Sequence, residues 1–266
     1  MFTYKTCNDI INLVFCAGGG IKLKNIEKVC NEAVEWIKAR VDGAGAKGIV
    51  LGMSGGIDSA VVAALVKRAF PDNCFCVTMP CYSNPIDAEH AKLVADAVGI
   101  EMKTVVLNDA FDTMKNLVDA KETDPKLAIA NIKSRLRMIT LYYYAGVNNY
   151  LVAGTGNRSE ITIGYFTKYG DGGSDMLPIA SFVKKEIREL AEYLEIPEIV
   201  ITKPPTAGLW EDQSDEKEMG MSYEDLDNYI LTGEGSEDVK NKVDTMNSRS
   251  EHKRVPIPKF IPTEKQ

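Results

Sequence analysis

The chain has 266 residues, 45% of them hydrophobic, and a formal net charge of −7, enough for a sizeable core in one large α/β domain taken as a single unit over 1–266. The acidic balance argues against general attraction to nucleic acid or an anionic membrane, so an anionic ligand must be drawn by local Lys and Arg and a bound cation. No run approaches the roughly 20 apolar residues of a membrane span, and Asn8, Asp9 and Asn12 spoil residues 1–20 as a signal peptide, so a cytoplasmic protein is expected.

Ile26, Val29, Cys30, Ala33, Val34, Ile37 and Val41 follow the 3,4 spacing of an amphipathic helix over 25–41. Gly43 to Gly48 spells Gly-x-Gly-x-x-Gly but precedes a strand, the wrong context for a dinucleotide fingerprint, and reads as a helix stop. Residues 48–51 form an apolar run suited to a buried parallel strand. Gly52-Met53-Ser54-Gly55-Gly56-Ile57-Asp58-Ser59 follows, then an apolar helix ending in Lys67 and Arg68. A strand, a Gly-Gly turn and a helix N-terminus make an anion site, because unpaired N–H groups and the helix dipole face the ligand. Ser54 and Ser59 add hydroxyl donors. Asp58 would repel a bare phosphate unless a cation lay between them, which reads it as a magnesium ligand. The plainer alternative is a turn in which Asp58 caps the helix.

Strands are expected over 74–79, 102–107 and 150–154, and helices over 85–97 (Gly99 as its stop), 109–120 and 128–147. The alternation predicts a doubly wound parallel sheet with helices on both faces, ligands binding beyond the C-terminal strand ends. Both polar loops, 52–59 and 154–160, lie there. Residues 162–175 are irregular, glycine-rich and long for a plain connection, hence functional. A helix over 183–194 carries Lys184 and Lys185 in its first turn, where cations need a nearby anion. Residues 204–222, with Thr206 and Trp210, read either as a lid or as a solvated loop. Short helices over 223–231 and 236–248 precede a basic, then extended tail.

Six scattered cysteines (Cys7, Cys16, Cys30, Cys74, Cys76, Cys81) and two histidines favour reduced core thiols over disulfides. Metal or sulfur chemistry at Cys74-x-Cys76 with Cys81 is the lesser alternative.

The Ser-Gly-Gly-x-Asp-Ser loop after a strand resembles the pyrophosphate-binding loop of the N-type ATP pyrophosphatases. Later motifs select among these: Asn131-Ile132-Lys133-Ser134-Arg135 with Arg137 and Met138, Gly154-Thr155 with Glu160, the run from Phe166 to Asp175, Pro205-Thr206-Ala207, and Glu251-His252-Lys253-Arg254. In that order they resemble the ammonia-dependent NAD synthetases across roughly residues 25–260. The resemblance implies an adenine nucleotide alpha hydrolase-like fold and the amidation of deamido-NAD to NAD with ATP and ammonia. The glutamine-dependent form of the family carries an N-terminal glutaminase domain. With about 25 residues ahead of the first helix, ammonia is expected free or from a separate protein.

By the same resemblance, the whole loop 52–59 with Thr155, Lys184 and Thr206 would bind ATP. Asp58 and Glu160 would hold magnesium, and Arg135, Lys168, Asp175, His252 and Lys253 would bind deamido-NAD. Members are usually homodimers with the dinucleotide site completed at the interface. Asp58, Lys184 and Asp171 are the catalytic candidates. Asp171 is read as the group that positions ammonium and accepts its proton, for which partial burial would have to raise its pKa. The rival readings are another adenylating pyrophosphatase (a tRNA thiolase or GMP synthetase) and a non-catalytic nucleotide-binding module. The acidic balance disfavours a tRNA enzyme, and two metal carboxylates disfavour a pure binder.

Overall fold

A computed structural model describes residues 23–262 apart from 207, 209 and 211–213. The reading of residues 1–20, and Cys7 and Cys16, lie outside them. The predicted apolar stripe forms α1 (Ile26–Gly43), which buries Cys30, Val34, Ile37 and Val41 and is capped by the Asn25 side chain accepting from the Lys28 N–H. Four parallel strands follow in the order β3-β2-β1-β4, where β1 is Gly48–Gly52, β2 Cys74–Thr78, β3 Glu101–Thr104 and β4 Tyr150–Ala153. Between them run α2 (Ile57–Ala69), α3 (Pro85–Val98), α4 (Asn108–Leu117) and α5 (Lys126–Asn148). Gly99 ends α3 in the left-handed conformation, as its sequence position predicts.

Strand alternation splits the core into two faces. Ile49, Leu51, Cys74 and Cys76 point to one side, against α1, α2 and later helices. Val50, Phe75, Val77 and Val152 point to the other, against Phe111 of α4 and Ala145 of α5. Full burial on both faces is what the apolar runs require of a parallel sheet. Chain order reverses beside β1, since β2 and β3 lie on one side and β4 on the other. That switch point opens a crevice above β1 and β4.

After β4 come α6 (Arg158–Ile163), α7 (Lys184–Tyr193), α8 (Glu198–Ile201), α9 (Asp215–Met219), α10 (Tyr223–Thr232) and α11 (Glu237–Ser250), then one 3-10 turn, Glu251–Lys253. Ile163, Met219, Met221, Tyr223, Leu226, Val239 and Val243 form a smaller cluster that fixes α9 to α11 against α6.

Two expectations need correction. The third strand stops at Thr104, not residue 107. Val105 and Leu107 still donate to the Thr78 and Pro80 carbonyls, but the chain then turns into α4. The 154–160 stretch is not all loop, because Asn157 starts α6 with a capping box closed by Glu160. Cys30, Cys74, Cys76 and Cys81 are free and buried, and burial pushes the Cys74 and Cys76 thiols up to about 11 and about 12. Buried, protonated thiols are poor metal ligands and nucleophiles.

Candidate active site

A pocket of about 900 Å³ opens over the C-terminal ends of β1, β2 and β4. Its floor is the predicted phosphate loop. Gly52, Met53, Ser54, Gly56, Ile57, Asp58 and Ser59 line it, whereas Gly55 does not. Gly55 has φ +76°, and a Cβ there would sit 2.2 Å from the Asp87 carbonyl oxygen of α3, so glycine is needed both for its dihedral and for the close approach. The loop is braced from within. The Ser54 N–H donates to Ser59 Oγ (3.3 Å), the Gly56 N–H to Ser54 Oγ (3.2 Å), and Ser59 Oγ to the Gly56 carbonyl (2.9 Å). No side chain caps α2 at Gly56, which suits a helix end built to face an anion.

Beside the loop, three charged groups from α2, α6 and α7 meet. Lys184 Nζ donates to Asp58 Oδ2 at 2.5 Å and lies 3.7 Å from Glu160 Oε1. Asn157, fully buried, ties both carboxylates together. Its amide donates to Asp58 Oδ1 (2.9 Å), and its backbone N–H donates to Glu160 Oε2 (3.3 Å). Burial and the Asp58 carboxylate push Glu160 up to about 8, with Lys184 opposing. Burial works against the Lys184 ammonium, yet Asp58 and Glu160 hold it above its ordinary range.

Of the two lysines in the first turn of α7, Lys184 meets the anions its position requires, whereas Lys185 is exposed and only its backbone N–H is bound. Asp58 and Glu160 take the Lys184 ammonium. Asp227 of α10 accepts from the Lys185 N–H (2.7 Å) and from Ser159 Oγ (2.5 Å), while Ser159 Oγ accepts from the Lys184 N–H (3.1 Å). The Tyr223 ring lies 5.1 Å from Lys184 Nζ, and its hydroxyl donates to Asp215 Oδ2 (3.2 Å). Thr155 and Thr206 also face the pocket.

The other end of the pocket is lined by Ser134, Arg135, Lys168, Asp171, His252 and Lys253. Asp171 Oδ1 accepts from Ser134 Oγ (2.7 Å) and the Thr167 N–H (2.9 Å). Gly170 beside it leaves no room for a Cβ, which would meet Ser134 Oγ at 2.3 Å. The burial expected of Asp171 as a base is not found, since the residue is exposed on this chain, at the outer end of a turn whose Gly170 is buried against Ser134 and Thr167. Lys168 Nζ donates to the His252 carbonyl at 2.5 Å. Lys253 Nζ donates to the Gly164 and Phe166 carbonyls, each at 2.7 Å, and burial lowers its pKa.

Asp175, expected to contact the dinucleotide, is exposed and lies outside the lining of this pocket. One oxygen accepts from the Val152 N–H (2.8 Å) and the other from the Tyr142 hydroxyl (3.0 Å). The physical reason is that β4 is an edge strand with N–H groups to satisfy, and the 175–176 segment runs beside it with a single bridge, Ala153 to Met176.

Sequence reasoning missed three residues. Asn157 was legible as the start of an Asn-x-x-Glu capping box. Arg137 donates to the Met79 carbonyl (3.2 Å) and Ser83 Oγ (3.3 Å) at the wall of the pocket. Lys203 Nζ bridges Asp87 Oδ1 (2.7 Å) and the Gly55 carbonyl (3.3 Å). Arg137 stood in the Asn131–Met138 motif without a role of its own, and nothing local in the sequence marked Lys203. Of the 204–222 stretch, Pro204, Pro205, Thr206, Gly208 and Trp210 line the pocket, while Ala207, Leu209 and residues 211–213 of the expected lid lie outside the described residues.

Known proteins resemble this chain over most of its length. A curated NH(3)-dependent NAD(+) synthetase of Carboxydothermus hydrogenoformans is 50% identical over 235 residues, covering 87% of this chain and 97% of the relative. One of Syntrophomonas wolfei is 44% identical over 245 residues, covering 90% of this chain and 98% of the relative. Among solved structures, an NMN synthetase from Francisella tularensis superposes with TM-score 0.85 at 32% identity, covering 90% of this chain and 99% of that one. An NH3-dependent NAD synthetase from Campylobacter jejuni gives TM-score 0.74 at 30% identity over 90% of this chain and 100% of that one. A sequence model described as NAD synthase matches residues 29–257, and with these relatives it shows that the chain belongs to the NAD synthase family.

Proposed function

We infer that this chain amidates deamido-NAD to NAD with ATP and ammonia, releasing AMP and pyrophosphate. The observation that carries the reading is the meeting of Asp58, Glu160 and Lys184 beside the Ser-Gly-Gly turn, in one pocket with Arg135, Lys168 and Asp171. A carboxylate does not react with ammonia, because its carbon is electron-rich and oxide cannot leave. The nicotinate carboxylate oxygen therefore forms a bond to the α-phosphorus as the α–β phosphoanhydride breaks and pyrophosphate departs. The ammonia nitrogen then bonds to the acyl carbon, the carbon–oxygen bond to AMP breaks, and nitrogen loses a proton.

Bringing two anions together is chiefly a problem of charge. The 52–59 loop binds the departing pyrophosphate through N–H and hydroxyl donors. Lys184 places an ammonium against the phosphoryl oxygens, and Thr155 and Thr206 add hydroxyls to the nucleotide. Asp58 and Glu160 fit magnesium, offering hard carboxylate oxygens that converge on one point. The described residues contain no group of three or more His, Cys, Asp or Glu suited to a metal, so Asp58 and Glu160 would hold the ion only with further oxygens from outside the protein, the usual arrangement for magnesium. When bound, magnesium neutralises charge between the carboxylates and the phosphates.

Arg135, Lys168, His252 and Lys253 form the dinucleotide end, Lys253 by holding the 164–166 backbone in place. Asp171 positions ammonium against the acyl carbon and takes its proton once bound substrate and the partner subunit cover its exposed turn. Ile139, Tyr143 and Val147 stand four residues apart on α5 and are 59%, 65% and 66% exposed. An apolar stripe of this kind supports a homodimer through α5. Among the described residues no helix is long and apolar enough to cross a membrane, and the reduced cysteines support a cytoplasmic location.

Incubation with ATP, magnesium, ammonium and deamido-NAD should yield AMP and NAD in equal amounts. The Francisella tularensis neighbour is an NMN synthetase, so nicotinate mononucleotide belongs in a parallel reaction. Faster turnover of the mononucleotide would reassign the substrate, and no turnover of either would leave a nucleotide-binding module. A monomer in sedimentation at micromolar concentration would refute the dimer.

A further inference from the structure

The place where a metal would be held is where a lysine sits. We propose that Lys184 is an internal counter-ion that keeps the Asp58–Glu160 pair closed to free divalent cations, so that the metal enters only together with the nucleotide. The proposal rests on the reading of these two carboxylates as metal ligands.

Each carboxylate has one oxygen committed to Asn157, Asp58 Oδ1 to its amide and Glu160 Oε2 to its backbone N–H. The oxygens left over, Asp58 Oδ2 and Glu160 Oε1, are the two that face Lys184 Nζ. A cation approaching them must displace the ammonium or endure it as a like charge at contact distance. Without an anion in the pocket the ammonium has no better place to go. Its side chain is 4% exposed, the Tyr223 ring closes another side at 5.1 Å, and its backbone N–H is fixed to Ser159.

A free divalent ion gains little in exchange. Magnesium surrenders its water reluctantly and would find two half-committed carboxylates. A triphosphate changes the balance on both sides at once. Phosphate oxygens give Lys184 a new anionic partner, which frees Asp58 Oδ2, and they complete the metal's shell. Ion exchange at this point therefore couples metal entry to nucleotide entry, and keeps two partly buried carboxylates that share one counter-ion compensated in the empty enzyme.

Manganese, followed by electron paramagnetic resonance on the intact protein, tests this. The wild type should bind no manganese at this pair without nucleotide, and should bind it when a non-cleavable α,β-methylene analogue of ATP is present. Lys184→Met should tighten nucleotide-free manganese binding by about tenfold or more, and added magnesium should raise its melting temperature while leaving the wild type unmoved. If the wild type takes up manganese equally well with and without the analogue, or if Lys184→Met gains no affinity, the counter-ion role is overturned. Should Lys184→Met fail to fold, the wild-type titration still decides. Asp58→Asn separates the underlying reading: it should weaken binding of the manganese–analogue complex about tenfold, and unchanged binding would remove the metal ligands and the proposal with them.

Discussion

The two ends of the pocket are built differently. At the phosphate end, every charged group is locked from several directions. Lys184 is almost wholly buried between two carboxylates, Asn157 holds both of those, and Asp227 holds the helix that carries the lysine. At the dinucleotide end, Arg135 and His252 are exposed, Asp171 sits on an exposed turn, and the Lys168 and Lys253 ammoniums are engaged with backbone carbonyls. The contrast shows a rigid reaction centre joined to an open recognition surface. The first must meet a fixed transition-state geometry, so preorganisation is worth most there. The second begins at Arg135 on α5, one turn before Ile139 of the exposed stripe.

Substitutions at the rigid end should break this contrast most sharply. Asp58→Asn is expected to lower kcat/KM for NAD formation about a thousandfold; turnover near wild type would remove it from the chemistry. Asp171→Asn should slow amidation about a hundredfold at saturating ammonium. Exchange of labelled pyrophosphate into ATP, which reports the adenylation step, should persist. An intact amidation rate would end the role given to Asp171.

Asn157→Ala should destabilise the protein by about 2 kcal/mol, read as a lower urea midpoint at constant m-value, because two carboxylates lose their shared partner. Lys253→Met should raise KM for deamido-NAD about tenfold with kcat little changed, since its bonds to Gly164 and Phe166 shape the recognition end only. An equal loss in kcat would mean that the two ends are not separable.

The smallest effect is a pH dependence at Asp227. Burial raises its carboxyl above the ordinary 3.8, although Ser159 and the Lys185 N–H favour the charged form. A carboxyl whose folded pKa is raised contributes stability below its unfolded pKa, and that contribution is lost as pH rises through the folded value. The Asp227 contribution to stability should therefore fall as pH rises from 3.8, read as a wild-type melting temperature that declines relative to that of Asp227→Asn over that window.

Much of the architecture was legible without coordinates. The 3,4 spacing of α1, the apolar runs of β1 and β2 and the Gly99 stop are local signals with local causes, and they appear where expected. Errors fell where the cause was distant. The third strand ended early because its last residues face Thr78 and Pro80 across a loop, not a full ladder. Asp175 reads as a binding carboxylate within a polar turn, and only the open edge of β4 explains its bonds to the Val152 N–H and the Tyr142 hydroxyl.

What the sequence determined by itself is the set of elements and the presence of a phosphate-facing turn ending in Asp58, since backbone dihedrals and side-chain periodicity act between near neighbours. What the tertiary structure alone decided is that Lys184, 126 positions later, lies between Asp58 and Glu160, with Asn157 and Tyr223 around them. That meeting depends on the strand order placing β4 directly beside β1 and on α7 packing across the same face. No window of sequence contains it, because charges that share a site need to be near only in space.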